Sequence, residues 1–144
     1  MSTTPQLVKS IQSCVPPHCK SVAIALSGGV DSVVMLHACL TLRAQTQSSF
    51  IVNAIHIHHG LSSNADNWLL FCKQLCEQFT LSFQCEILFQ YSKVNVQSEP
   101  RKSLEALARD ARYSAIDRLA PADSVVLLGQ HEDDQAETVL LQLK

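Results

Sequence analysis

The hexapeptide Ser27-Gly28-Gly29-Val30-Asp31-Ser32 constrains this chain more than any other stretch. An apolar run rich in Val and Ile precedes it over 21–26 and a helical pattern follows over 33–40, so it reads as a strand-to-helix turn. Two adjacent glycines let the backbone turn sharply and bring N–H groups against a ligand with no Cβ between. Ser27, Asp31 and Ser32 add hydroxyl and capping groups where the helix's amino end carries partial positive charge. Strand, glycine turn and helix amino terminus together make a cradle for phosphate. The loop is neither Gly-x-x-x-x-Gly-Lys-Ser/Thr nor a three-glycine dinucleotide fingerprint. Taken alone, it also admits the plainer reading of a tight turn.

Strand and helix patterns alternate along the rest of the chain. Leu7, Val8 and Ile11 line an opening helix over 5–14, which Pro16-Pro17 ends. A second strand over 50–57 leads into His56-Ile57-His58-His59-Gly60. Ser62 or Ser63 then caps a helix over 64–79, with Asp66 in its first turn. A third strand is predicted over 82–88 and an exposed, proline-bearing loop over 90–101. Ser103 caps a helix over 104–119, whose Leu104, Ala108, Ala111, Ala115 and Leu119 recur on one stripe. After Pro121, a fourth strand over 124–128 meets the acidic run 129–138, which passes into a further apolar helix.

This order predicts an α/β fold: a three-layer open parallel sheet with helices on both faces. At 144 residues the chain is one domain, with 47 % apolar and 17 % charged residues, a globular composition. It stops at Leu141-Gln142-Leu143-Lys144 inside a helical pattern with no cap, so 1–144 is expected to be the N-terminal part of a longer protein. No apolar run is long enough to span a bilayer and no signal-peptide pattern opens the chain, which predicts a cytoplasmic protein with no membrane partner. A formal charge of −2 argues against a basic nucleic-acid module as a whole. None of the six cysteines forms Cys-x-x-Cys, and Cys39, Cys72 and Cys76 fit helix interiors as small hydrophobes.

In open α/β sheets ligands bind beyond the carboxyl ends of the strands. Three strands here end in polar clusters: the Ser-Gly-Gly loop, the His-rich segment and the acidic segment. Glu132, Asp133 and Asp134 either cap a helix or, facing phosphates, hold Mg²⁺. Asp134 is the first choice for a metal or catalytic group, with Asp133 second; His131 is placed to contact phosphates. His56, His58 and His59 lack a partner at zinc-ligand spacing and fit nucleotide contact better, with Gly60 permitting the turn. Arg109 pairs with Glu105 four residues earlier as ordinary surface support or reaches phosphate. Arg112 lies on the flank of the apolar stripe, where a planar guanidinium suits phosphate.

The loop resembles the pyrophosphate loop of the ATP-pyrophosphatase superfamily, enzymes that split ATP into AMP and pyrophosphate. With His-Ile-His-His-Gly-Leu-Ser-Ser-Asn-Ala-Asp66, Leu-Glu-Ala-Leu-Ala-Arg-Asp-Ala-Arg-Tyr113 and Gln-His-Glu-Asp-Asp-Gln-Ala-Glu-Thr138 in this order, the chain from about residue 20 onward resembles the tRNA(Ile)-lysidine synthetase family. Gln130 stands where the commoner form has His, so no role is carried over to that position.

The resemblance implies a Rossmann-like fold of the adenine nucleotide alpha hydrolase type, and an ATP-dependent ligase using ATP and Mg²⁺. Its substrates would be free L-lysine and an isoleucine tRNA with a CAU anticodon, read mainly by C-terminal regions; a homodimer stays open. Ser27, Gly28, Gly29, Val30, Asp31, Ser32, His58 and Arg109 would bind ATP, Asp31, Asp133 and Asp134 the metal. Asp31, Asp134, His131 and Arg112 would be catalytic, and the fragment alone is expected to be inactive. A tRNA thiolase of the same superfamily and a non-catalytic adenine-nucleotide sensor remain the competing readings.

Overall fold

The computed structural model describes residues 5–58, 64–94, 101, 103–132 and 135–143. Its elements are α1 (Pro5–Cys14), β1 (Ser21–Ala25), α2 (Val30–Gln45), β2 (Ile51–His58), α3 (Ala65–Phe83), β3 (Ile87–Lys93), α4 (Leu104–Leu119), β4 (Ser124–Glu132) and β5 (Gln135–Leu143). The sheet runs in the order β3-β2-β1-β4-β5. The first four strands are parallel, with Ser21 opposite both Ile51 and Ser124 and Val52 opposite Ile87.

Alternation along the strands sorts the core into two layers. Val22, Ile24, Leu26, Val52, Ala54, Val125 and Leu127 face one side, where they pack with Ile11 of α1, Leu36 and Leu40 of α2 and Cys72 and Cys76 of α3. Ala23, Ile55, Ile57, Val126 and Leu128 face the other side and meet Ala115 and Ile116 of α4. Helices therefore cover both faces, as the alternating pattern predicts. Strand order reverses at β1: the chain steps outward through β2 and β3, then α4 carries it back so that β4 lies on the free side of β1. In such a sheet the crevice between β1 and β4 is the topological switch point.

Three expectations are corrected. The third strand lies at Ile87–Lys93, not 82–88, because α3 continues to Phe83. Phe79 and Phe83 both set their rings edge-on to His37 of α2, which rewards the extra helical turn. Gln84 then ends the helix in the left-handed region at φ 50°, without the glycine that usually signals such a stop.

Where the acidic run 129–138 is expected to pass into a helix, Gln135–Leu143 forms β5 antiparallel to β4, which itself runs on to Glu132 instead of ending at Leu128. A parallel sheet leaves β4 with an open row of N–H and C=O groups. Thr138, Val139 and Leu140 suit a strand as well as a helix, and only two residues separate β5 from β4. That link is too short for a parallel crossover and permits only an antiparallel return.

The third correction is the α3 cap, which is Asn64 with no side-chain cap hydrogen bond; Ser62 and Ser63 lie outside the described residues. By contrast α4 spans its predicted residues, and the Ser103 hydroxyl accepts the Ala106 N–H at 3.1 Å. Among the described residues no helix is long and apolar enough to cross a membrane.

Candidate nucleotide site

Between β1 and α2 the chain turns within Leu26–Gly29. The Ser32 hydroxyl, one turn into α2, organises that turn. It accepts the N–H groups of Ser27 at 3.1 Å and Gly28 at 3.2 Å, donates to the Gly29 carbonyl at 3.0 Å, and lies 3.1 Å from the Ser27 hydroxyl. The Ser27 hydroxyl in turn accepts the Gly29 N–H at 3.2 Å. Three consecutive amides thus converge on two hydroxyls at the mouth of the helix. Among the described residues no side chain caps α2, whose N-cap is Gly29, so the positive end of its dipole opens on the rim. Ser27, Gly29 and Val30 are exposed there, and Asp31 is half-buried in the first helical turn.

Gly28 is required by both backbone and space. Its φ of 96° is one that L side chains rarely adopt, and a Cβ at this position would lie 2.7 Å from Cε3 of Trp68 and 3.4 Å from Sγ of Cys72. The loop therefore rests directly on α3. Trp68 and Cys72, four residues apart, share the helix face that supports it; neither stands out in sequence as part of the site.

The two described histidines of β2 play different parts. His56 is 4 % exposed and its Nδ1 lies 2.8 Å from the Leu26 carbonyl, so it faces the core beneath the loop and not an open pocket. This corrects the expectation of nucleotide contact at that position. His58, half-buried at the strand end, holds Oδ1 of Asp66 at 2.7 Å through Nε2. Asp66 occupies the first turn of α3, as expected, but its engagement with His58 was not read from the sequence. His59 and Gly60 lie outside the described residues.

On the opposite face, α4 presents Arg109 to solvent and Arg112 half-buried. Nε of Arg112 is enclosed with no hydrogen-bond partner among the described residues, and its guanidinium carbon lies 5.4 Å from the Tyr113 ring centroid. Tyr113 packs on the cluster containing Ala25 and Ile57, the residues near the carboxyl ends of β1 and β2. His131 lies in β4, opposite Ala136 of β5, and not in a loop beyond the strand. Asp133 and Asp134 lie outside the described residues. β4, which carries Glu132 at its end, is the direct neighbour of β1, the strand that leads into the Ser-Gly-Gly loop.

A glycine turn onto an uncapped helix, set at the switch point of a parallel sheet, defines a nucleotide-binding α/β domain. The chain belongs to the PP-loop domain family, an ATP-binding class, whose family model matches residues 3–144. Its relatives narrow this further. The tRNA(Ile)-lysidine synthase of Histophilus somni (strain 2336) is 45% identical over 129 residues, 90% of this chain. That of Pseudomonas fluorescens (strain Pf0-1) is 45% identical over 120 residues, 83% of the chain. That of Vibrio cholerae (strain ATCC 39315) is 43% identical over 125 residues, 87% of the chain. The match spans 28%, 25% and 27% of these relatives' own lengths, about a quarter of each.

Proposed function

We propose that this chain is the nucleotide-activating part of a tRNA(Ile)-lysidine synthase, which joins lysine to the wobble cytidine of an isoleucine tRNA with a CAU anticodon. One observation carries the reading: the amides of Ser27, Gly28 and Gly29 converge beside the uncapped start of α2, in a family that binds ATP. The identity to lysidine synthases over most of the chain supports this substrate over others.

In the proposed reaction the cytidine carbonyl oxygen attacks the α-phosphorus of ATP and pyrophosphate departs. The amine of free L-lysine then attacks the same ring carbon, and AMP leaves with the oxygen. The first-turn N–H groups of α2, its dipole and the exposed Ser27 hydroxyl would hold the pyrophosphate and stabilise the charge it gains, on a turn pinned by the loop amides. Much of the rate would come from holding three reactants in line. The unpartnered, enclosed Nε of Arg112 suits a phosphate or base oxygen, so Arg112 is assigned to the reacting groups and Arg109 to outer phosphate contact. His58, tied to Asp66, would line the nucleotide side, and His131 the pyrophosphate exit.

With phosphate oxygens, half-buried Asp31 would supply a hard, oxygen-only donor set that fits Mg²⁺, and Asp133 and Asp134 are proposed as the further carboxylates. When bound, the ion would neutralise phosphate charge. This chemistry belongs in the cytoplasm, where tRNA and ATP are available.

Burial argues against Cys39, Cys72 and Cys76 as the reactive thiol of a thiolase. It pushes the thiols of Cys39 and Cys76 up to about 12 and that of Cys72 up to about 11, disfavouring the thiolate that sulfur transfer needs. The direct test incubates the full-length protein with unmodified isoleucine tRNA (CAU anticodon), ATP and lysine, and examines the tRNA by mass spectrometry. Lysidine at the wobble position is expected. A thiolated base, or ATP binding with no tRNA-stimulated release of pyrophosphate, would overturn the reading.

A further inference from the structure

The peptide that opens the loop, Leu26–Ser27, is gripped at both ends by side chains from other elements. Its N–H, that of Ser27, donates to the Ser32 hydroxyl at 3.1 Å. Its carbonyl, that of Leu26, lies 2.8 Å from His56 Nδ1 and 3.6 Å from Cys72 Sγ, and those two atoms are 3.6 Å apart. A carbonyl oxygen only accepts, so the His56 ring carries a proton on Nδ1 and donates it. Meanwhile the Leu26 N–H still belongs to the sheet, donating to Ile55 at 2.8 Å. Leu26 is thus where the chain passes from ladder to loop.

Leu26, His56 and Cys72 are 1 %, 4 % and 0 % exposed. An imidazole at such a depth is costly to bury, and an aliphatic side chain would pack there at less expense. The group it satisfies is the one carbonyl whose direction sets the loop. A peptide unit is planar, so fixing the Leu26 oxygen fixes the Ser27 N–H on its far edge. Rotation of this plane would break the His56 and Ser32 bonds together and undo the turn that sets the start of α2. Cys72 adds a second function from α3, since it also backs the Cα of Gly28.

We propose that His56, with Cys72, is a buried latch on the Leu26 carbonyl that presets the loop for phosphate, which makes His56 a positioning residue. The proposal rests on the reading that this loop holds the phosphates of ATP. The latch never touches the nucleotide; it acts through the peptide plane, and it favours phosphate-bearing ligands alone.

The test measures ATP and adenosine affinities by calorimetry for the protein and for H56A, H56N and H56Q. Asn carries its amide donor at the position of Nδ1, whereas Gln carries it one bond farther out. In H56A, ATP binding is expected to weaken about tenfold or more, while adenosine changes less than about twofold. H56N regains most of the loss, and it binds ATP at least about fivefold more tightly than H56Q. Three results would overturn the latch: ATP affinity unmoved in H56A, ATP and adenosine weakened alike, or H56N no better than H56Q. The last comparison decides the matter even if H56A does not fold. Failure of the unsubstituted protein to bind ATP would instead overturn the nucleotide reading, and the latch with it.

Discussion

The two ends of β1 bury polar groups in opposite ways. At the amino end, Ser21, Asn53 and Ser124 join across three neighbouring strands. Asn53 Nδ2 donates to the Ser21 hydroxyl at 2.8 Å and the Ser124 hydroxyl donates to it at 2.9 Å, with all three residues buried. At the carboxyl end, Ser27 and Ser32 also meet hydroxyl to hydroxyl, but Ser27 is exposed and the groups they hold are backbone amides at a helix mouth. A polar knot closed among side chains on the strands ties the sheet together. One that pins a turn at an accessible rim leaves the first-turn N–H groups of the helix open to a ligand. Chemistry of the residues is shared; access and backbone conformation separate structure from site.

This contrast is broken or sharpened by substitution at either end. The largest effect is expected for Gly28→Ala, which places a Cβ 2.7 Å from Trp68 at φ 96°. It should abolish measurable ATP binding and lower stability by about 1–3 kcal/mol, read by calorimetry and chemical denaturation. Ser32→Ala removes the acceptor of two loop amides, and ATP affinity measured by calorimetry should fall about tenfold.

Asn53→Ala should behave in the reverse manner. About 1–2 kcal/mol of stability is lost with its bond to Ser21, while ATP affinity stays within a factor of about two. The loss is moderated because Asn53 Oδ1 has no partner among the described residues. Equal effects of Ser32→Ala and Asn53→Ala on ATP affinity would erase the distinction between the two ends.

The smallest effect concerns pH. Burial between α2 and α3 lowers the pKa of His37 below its ordinary 6.5. Between the lowered value and 6.5 the unfolded chain binds more protons than the folded one, so stability falls as pH drops through that window and levels off below it. Replacing His37 with Phe should flatten that acid limb in denaturation curves measured across the window, without altering ATP affinity at neutral pH.

Local signals carried much of this fold. The Ser-Gly-Gly turn, the Ser103 cap and the span of α4 each depend on residues a few positions apart, and the structure has them where the pattern put them. Misses arose where a distant partner decides. Phe83 extends α3 because His37 waits on α2, and 135–143 becomes a strand because β4 offers an open edge.

The site divides along the same line. Ser27 to Ser32 was legible as one turn, whereas the roles of His56, Trp68 and Cys72 under that turn were not, since they reach it from 30 and more residues away. Trp68, Cys72 and Cys76 at four-residue spacing did mark one helix face, but nothing local says what that face meets.

The account depends on phosphate being held by the turn after β1. Amide NMR spectra recorded while inorganic pyrophosphate and then ATP are added test this most directly. The account predicts that the N–H signals of Gly28, Gly29, Val30, Asp31 and Ser32 shift with both ligands while those of Ser21, Asn53 and Ser124 stay in place. Unmoved signals from Gly28 to Ser32, with shifts gathered elsewhere on the molecule, would contradict it.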